Sequence, residues 1–240
     1  MENTLYIALS RQEALRRQME VVANNIANMN TTGFKSQRPL FLEYLEQPDR
    51  QNDRMAFVQD FGLLRNVSPG PLTITQNPLD VAIRESGYFA VETFAGPRYT
   101  RGGSFVLNAD RELVDPNGLP VLDQQDQRII VPAAAQDIRI SGTGTVSTEQ
   151  GELARLKVVT FADEQRIELL GGGLYSTDQE EIPVENPKIA QGAIEGSNVQ
   201  PVVEMTQMMD VARAYQSTQR MIDSEHERIR NALQKLSRAQ

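Results

Sequence analysis

Apolar residues at alternating steps of three and four occupy both ends of this 240-residue chain, and that spacing constrains its fold more than any other feature. Near the N-terminus the row is Leu5, Ala8, Gln12, Leu15, Met19, Val22 and Ile26, with Gln12 its one polar member. The row predicts an amphipathic helix over residues 3–28, about 39 Å long at a rise of about 1.5 Å per residue. Asn24, Asn25 and Asn28 then compete with the helix for backbone hydrogen bonds. Thr31-Thr32-Gly33 follows, so Gly33 is assigned the turn, as a residue free to take a positive φ. Near the C-terminus Met208, Val211, Tyr215, Thr218, Ile222, Glu225, Ile229, Ala232 and Leu236 repeat the pattern. They predict a second helix from about Asn198 to Ser237, with Asn198 as N-cap and Pro201 in the first turn, where its missing N–H costs nothing.

Between the helices the period changes. Short β-rich runs such as Leu79–Ile83, Tyr88–Val91, Ser104–Leu107, Arg128–Val131, Ile138–Ile140 and Leu156–Phe161 are separated by turn signals such as Arg101-Gly102-Gly103 and Asp115-Pro116-Asn117-Gly118. The fold class expected is α+β. Long terminal heptad helices pair as a coiled-coil stalk, with an antiparallel β-rich domain between them that is a sandwich or an irregular barrel. The boundaries are 1–30 for the N-terminal helix, 31–78 for an extended connector holding Pro48, Pro69, Pro71 and Pro78, 79–187 for the β-domain, and 188–240 for the C-terminal helix with its lead-in. Helices of this kind draw most of their stability from packing an apolar face, so the rows are covered either by neighbouring subunits or by each other in an intramolecular helical hairpin packed on its own domain. The assembly interface is accordingly placed on Leu5, Leu15, Met19, Val22, Asn24, Asn25, Ile26 and Asn28, and on Met208, Val211, Tyr215, Ile222, Ile229 and Leu236.

Chemistry has little to work with. No cysteine is present and His226 is the single histidine, which excludes disulfides, thiolate metal sites, thiol nucleophiles and multi-histidine centres. Phosphate-cradling and zinc-protease motifs are missing; Gly171-Gly172-Gly173 leads into a short strand and not a helix. No catalytic residue, cofactor or metal is assigned. A net charge of −8 argues against a nucleic-acid partner. The acidity is central: residues 41–187 hold 23 acidic and 12 basic residues. No apolar run approaches the roughly 20 residues needed to span a bilayer, so no membrane insertion is expected. Arg11, Glu13, Arg16 and Arg17 fall where a signal peptide would need an apolar stretch.

Ala23-Asn24-Asn25-Ile26-Ala27-Asn28, followed by Asn30-Thr31-Thr32-Gly33-Phe34-Lys35, resembles the flagellar basal-body rod and hook family of axial proteins. The resemblance continues in order through Asn77–Ile83, Gly87-Tyr88-Phe89, Tyr99–Phe105, Gly118–Val121 and Gln191–Val199 to Glu204-Met205 and Arg213–Gln216. The short chain favours a rod subunit over a hook subunit, with the proximal rod type implied first and the distal type as the alternative. The resemblance further implies export through the flagellar type III apparatus without a cleaved signal. It implies helical assembly with other rod subunits in the periplasm, the terminal helices forming an inner tube. The competing reading is a soluble oligomeric module whose β-domain binds a carbohydrate or peptide.

Overall fold

The computed structural model describes residues 2–46, 55–135 and 137–238. Helix α1 (Glu2–Ala27) and helix α2 (Pro201–Arg238) occupy the two heptad segments. Among the described residues seventeen strands lie between them: β1 (Gln37–Glu46), β2 (Met55–Arg65), β3 (Leu72–Ile74), β4 (Val81–Ile83), β5 (Tyr88–Thr93), β6 (Gly96–Thr100), β7 (Val106–Leu107), β8 (Leu113–Val114), β9 (Arg139–Ile140), β10 (Thr145–Thr148), β11 (Gly151–Arg155), β12 (Val158–Thr160), β13 (Glu168–Leu169), β14 (Leu174–Ser176), β15 (Ile182–Pro183), β16 (Ile189–Gln191) and β17 (Ala193–Glu195). They divide into two compact units. The helical unit comprises Met1–Ala27, Gln37–Arg65 and Gln200–Gln240; the β unit comprises Asn28–Ser36 and Asn66–Val199.

In the helical unit α1 and α2 pack together and run antiparallel. Asn25 near the end of α1 bonds Glu204 near the start of α2, and Gln12 bonds Gln219 further along. Val22, Val211, Thr218 and Ile222 are buried along the contact. Leu5, Leu15, Met19, Ile26, Met208 and Tyr215 are half-buried. The apolar row of α2 then outruns its partner. Ile229 and Ala232 are exposed, and the side chain of Leu236 lies outside the described residues. Helix α2 starts three residues later than its expected cap, because Asn198 is engaged elsewhere; Pro201 is its first residue.

Strands β1 and β2 form a long antiparallel hairpin within the stretch expected to be an extended connector, whose Pro48 lies outside the described residues. A bulge follows Leu40, where Gly62 faces it and Phe61 is the unpaired residue, with Gly62 at φ +142. Ser10 of α1 holds the hairpin: its hydroxyl donates to the Val58 carbonyl at 3.1 Å and accepts from the Val58 N–H at 3.0 Å. Arg17 adds an ion pair with Asp60 at 3.2 Å.

Every strand pair among the described residues is antiparallel. The largest sheet of the β unit has six strands in the order β13-β14-β6-β5-β12-β15. Its central strand β5 is buried on both faces, as the two-residue period requires. Phe89 and Val91 join Phe105, Leu113, Val121, Ile129 and Leu156 on one side. Tyr88 and Ala90 join Tyr99, Val159, Phe161 and Tyr175 on the other. The irregular barrel is not realised: the remaining strands form a three-stranded and several two-stranded ladders, and no closed barrel is present among the described residues. Strands of two to six residues broken by tight turns give too little continuous ladder to close.

The Ile222 side chain is almost fully buried in the helix contact. Ile222→Asp places an uncompensated carboxylate there, at a cost of several kcal/mol. The expected outcome is loss of helical circular dichroism and rapid proteolysis of both ends, with a protected core within residues 66–199. Wild-type protection of both helices in this variant would show that the contact does not hold them.

Candidate assembly site

Two buried polar clusters, one in each unit, lie where the signature motifs of the sequence fold. In the helical unit the Asn24–Asn28 motif contributes Asn25, which is 1% exposed. Its amide accepts from the Gln37 N–H at 3.0 Å and donates to the Gln37 carbonyl at 2.9 Å, pairing with the first residue of β1 as a neighbouring strand would. The same amide nitrogen donates to Glu204 of α2 at 3.2 Å. One side chain thus links α1, β1 and α2, and only Asn or Gln carries both a donor and an acceptor for this bond pattern. Asn24 is exposed, and Asn28, which belongs to the β unit, accepts from the Thr31 hydroxyl at 3.1 Å.

In the β unit three charged side chains, each at most 5% exposed, meet at Glu195. Lys35 donates to Oε1 at 2.5 Å, Arg101 donates to Oε2 at 2.6 Å, and the Gly70 N–H donates to Oε1 at 2.8 Å. Lys35 also donates to the Ser68 carbonyl at 2.9 Å. Arg101 spends its remaining donors on the carbonyls of Ile83, Glu85 and Gly87. Burial raises the cost of the Glu195 carboxylate, but the Arg101 charge and the bonds from Lys35 and Gly70 outweigh it and hold the carboxyl below its ordinary range. Lys35 is less well served. Burial pushes its ammonium below the usual amine value, and half a shared carboxylate with Arg101 nearby does not make up the difference.

Backbone geometry closes around the cluster. Gly33 sits at φ +69, and its N–H donates to the Glu195 carbonyl at 2.8 Å. A Cβ at Gly33 would stand 2.5 Å from the Arg101 carbonyl carbon. A Cβ at Gly70 would stand 2.0 Å from the Gly196 carbonyl oxygen, so this approach too admits only glycine. Asn198 locks the exit of the chain: it accepts from the Ser36 N–H at 2.7 Å and donates to the carbonyls of Asn66 and Ser68 at 2.8 and 2.9 Å. An open cavity of about 600 Å³ lies beside the cluster, lined in part by Arg84, Ser86, Tyr88 and Thr160. The two buried cations along it are already committed to Glu195. Among the described residues no group of three or more His, Asp or Glu is placed to hold a metal ion, and no helix is long and apolar enough to cross a membrane.

Sequence reasoning located the motifs and gave Lys35, Arg101 and Glu195 no role. Their one signal was position: each is a charged residue inside a Gly-flanked stretch of a signature motif. Of the residues expected at an assembly interface, the structure packs Val22, Asn25, Val211 and Ile222 into the α1–α2 contact of the helical unit, half-buries Leu5, Leu15, Met19, Ile26, Met208 and Tyr215, leaves Asn24 and Ile229 exposed, and places Asn28 and Gly33 in the β unit.

Over 99% of both chains, this sequence is 38% identical to the flagellar basal-body rod protein FlgF of Caulobacter vibrioides. The chain belongs to the flagellar basal-body rod protein family. It is also 36% identical to FlgG of Agrobacterium fabrum, over 93% of this chain and 95% of the relative. To FlgF of Mesorhizobium japonicum it is 32% identical, over 91% of each. Three family descriptions match in order: Flagella basal body rod protein at residues 5–35, Flagellar hook protein FlgE/F/G D1 domain at 82–148, and Flagellar basal body rod FlgEFG protein C-terminal at 190–235. Each matched segment supplies one member of the buried cluster: Lys35, Arg101 and Glu195 respectively.

Glu195→Gln leaves two buried cations sharing a neutral amide, and the expected loss is about 3–5 kcal/mol at neutral pH. Because the folded-state carboxyl is held low, its contribution is complete above about pH 4.3 and disappears as the pH falls through the folded value. Denaturant melts of the two proteins should therefore diverge at neutral pH and converge in acid; equal stability at neutral pH would refute the shared-carboxylate account. Gly33→Ala should already unfold or distort the β unit, since positive φ and a 2.5 Å approach to backbone act together. A melting temperature within a degree or so of wild type would refute the close packing.

Proposed function

We propose that this chain is a structural subunit of the flagellar basal-body rod, of the proximal type, that assembles helically through α1 and α2. The whole-length similarity to named rod proteins carries this reading. The helical unit adds physical support. Leu40 and Leu42 of β1, and Phe61, Leu63 and Leu64 of β2, are exposed, as are Val202, Met205 and Met209 of α2. Neighbouring subunits would cover these exposed apolar side chains. The rows on both helices then act as a coiled-coil stalk between copies as well as within one. Its partners are other proximal and distal rod subunits and the type III export apparatus. It crosses the inner membrane by that apparatus without a cleaved signal and works in the periplasm, as a segment of the drive shaft. It performs no catalysis and binds no nucleic acid.

Deleting the gene should abolish swimming and leave basal bodies without a complete rod in electron micrographs. Restoring a tagged copy should place label at the end of the rod nearest the inner membrane, whereas label at the outer end would assign the distal type. Intact rods and normal swimming in the deletion strain would overturn the reading.

A further inference from the structure

Two turn motifs of the β unit meet, and one side chain joins them. Asp115-Pro116-Asn117-Gly118 makes the turn between β8 and Pro120, which bridges back to Val114. Inside the turn the buried Asp115 carboxylate accepts from the Asn117 N–H at 2.9 Å, from the Leu119 N–H at 2.8 Å and from the Asn117 side-chain amide at 2.9 Å. The Gly118 N–H donates to the Asp115 carbonyl at 2.9 Å, with Gly118 at φ +82. The same Asn117 amide nitrogen donates to the Gly172 carbonyl at 3.1 Å. Gly172 and Gly173 stand at φ +71 and +75, so the Gly171-Gly172-Gly173 segment has little stiffness of its own. Asn117 pins it just before β14 enters the six-stranded sheet. Asn117-Gly118 is also the one Asn-Gly pair in the chain, and both residues are exposed. A glycine after an asparagine leaves its backbone nitrogen unhindered by a Cβ, which makes this dipeptide the most open to ring closure by the asparagine side chain.

We propose that Asn117 is a spontaneous deamidation site that the fold holds in check, and that its conversion releases the Gly171–Gly173 segment. In the reaction the Gly118 backbone nitrogen, having lost its proton to solvent base, attacks Asn117 Cγ. The side-chain nitrogen leaves as ammonia, and water opens the resulting succinimide to aspartate or isoaspartate. The folded turn opposes both requirements. The attacking nitrogen is engaged through its N–H with the Asp115 carbonyl, and the leaving amide is held between Asp115 and Gly172, so Cγ cannot swing toward Gly118 without breaking those bonds. In the unfolded chain neither restraint exists. The product cannot rebuild the clasp: a carboxylate has no N–H to give Gly172, and it sets a negative charge against the Asp115 carboxylate. Isoaspartate further lengthens the backbone of a turn that Asp115 closes. A copy modified while unfolded therefore folds without the clasp, whereas a folded copy is protected.

The test uses the full-length purified protein, incubated at mildly alkaline pH either folded or in guanidinium chloride. Trypsin cuts after Arg111 and Arg128, so Asn117 is the one asparagine of the peptide Glu112–Arg128, and mass spectrometry of that peptide follows replacement of its amide by a carboxyl. Conversion should be at least tenfold slower in the folded protein than in the unfolded one. In parallel, Asn117→Asp mimics the product and Asn117→Ala removes the clasp without adding charge. Both should speed hydrogen exchange over residues 170–174, and Asn117→Asp should melt below Asn117→Ala. Equal conversion rates folded and unfolded would overturn the protection, and an unfolded chain left unmodified at Asn117 would overturn the site. Wild-type melting and exchange in Asn117→Asp would overturn the clasp. The rate comparison is made on the wild-type chain, so it decides the first two points even if a variant fails to fold.

Discussion

Glu195 is the point on which the β unit turns. Its carboxylate binds Lys35, Arg101 and the Gly70 N–H, and its backbone carbonyl accepts from Gly33. These partners come from stretches separated by up to 162 residues. Apolar packing alone would hold them together without fixing their register, whereas a carboxylate with two cations in hydrogen-bond range admits one arrangement. The cost is an ammonium that burial leaves under-served at Lys35. The three matched family segments each contribute one charge to this point, so the signature motifs describe a single three-dimensional feature as much as three local ones.

A long-range consequence follows for the helices. Pairing α1 with α2 in an otherwise unfolded chain closes a loop of about 170 residues, with an entropy term of roughly 5 kcal/mol before any constant. Folding of the β unit removes most of that cost. Asn198 bonds Ser36, and Glu195 bonds Gly33, so the points where the chain leaves the β unit are held side by side. The end of α1 and the start of α2 then each lie a few residues along the chain from an anchored point. Within the helical unit Asn25 ties Gln37 to α1 and to Glu204 of α2. The expected N-cap role of Asn198 is absent for this reason: its side chain serves three backbone groups in the β unit and has nothing left for α2.

How much could be read from sequence follows from how each element is stabilised. The helices were legible because a heptad row is a local pattern that survives whatever surrounds it, and their ends fall within a few residues of those expected. The β-rich middle was legible as a class, since short β-branched runs between turn residues have few other uses. The β1–β2 hairpin was not: Pro39-Leu40-Phe41-Leu42 is apolar on both faces and shows no alternation, and Gly62 reads as a break when it is the site of a bulge. The ion cluster had only the weak signal of position in Gly-flanked motifs. A charged residue in a single sequence is read as surface, and apart from that position nothing local distinguishes Lys35 from Lys188, which is exposed and pairs with Glu85. Only the fold, by bringing segments from three regions together, reveals that one lysine is structural.

Charge is partitioned between the two units in a way that bears on how copies can gather. The helical unit holds 13 basic and 13 acidic residues, and the β unit 11 basic and 19 acidic, so the whole net charge of −8 belongs to the β unit. A surface that packs against like surfaces is opposed by its own net charge, because each contact meets the summed repulsion of its neighbours. A balanced helical unit escapes this, and the exposed leucines, methionines and valines on it can be brought together without accumulating charge. The β unit faces no such requirement. Its acidity sets up repulsion between like-charged β units. Balance over the whole helical unit is compatible with polarity inside it: α2 runs from an acidic start to a basic end.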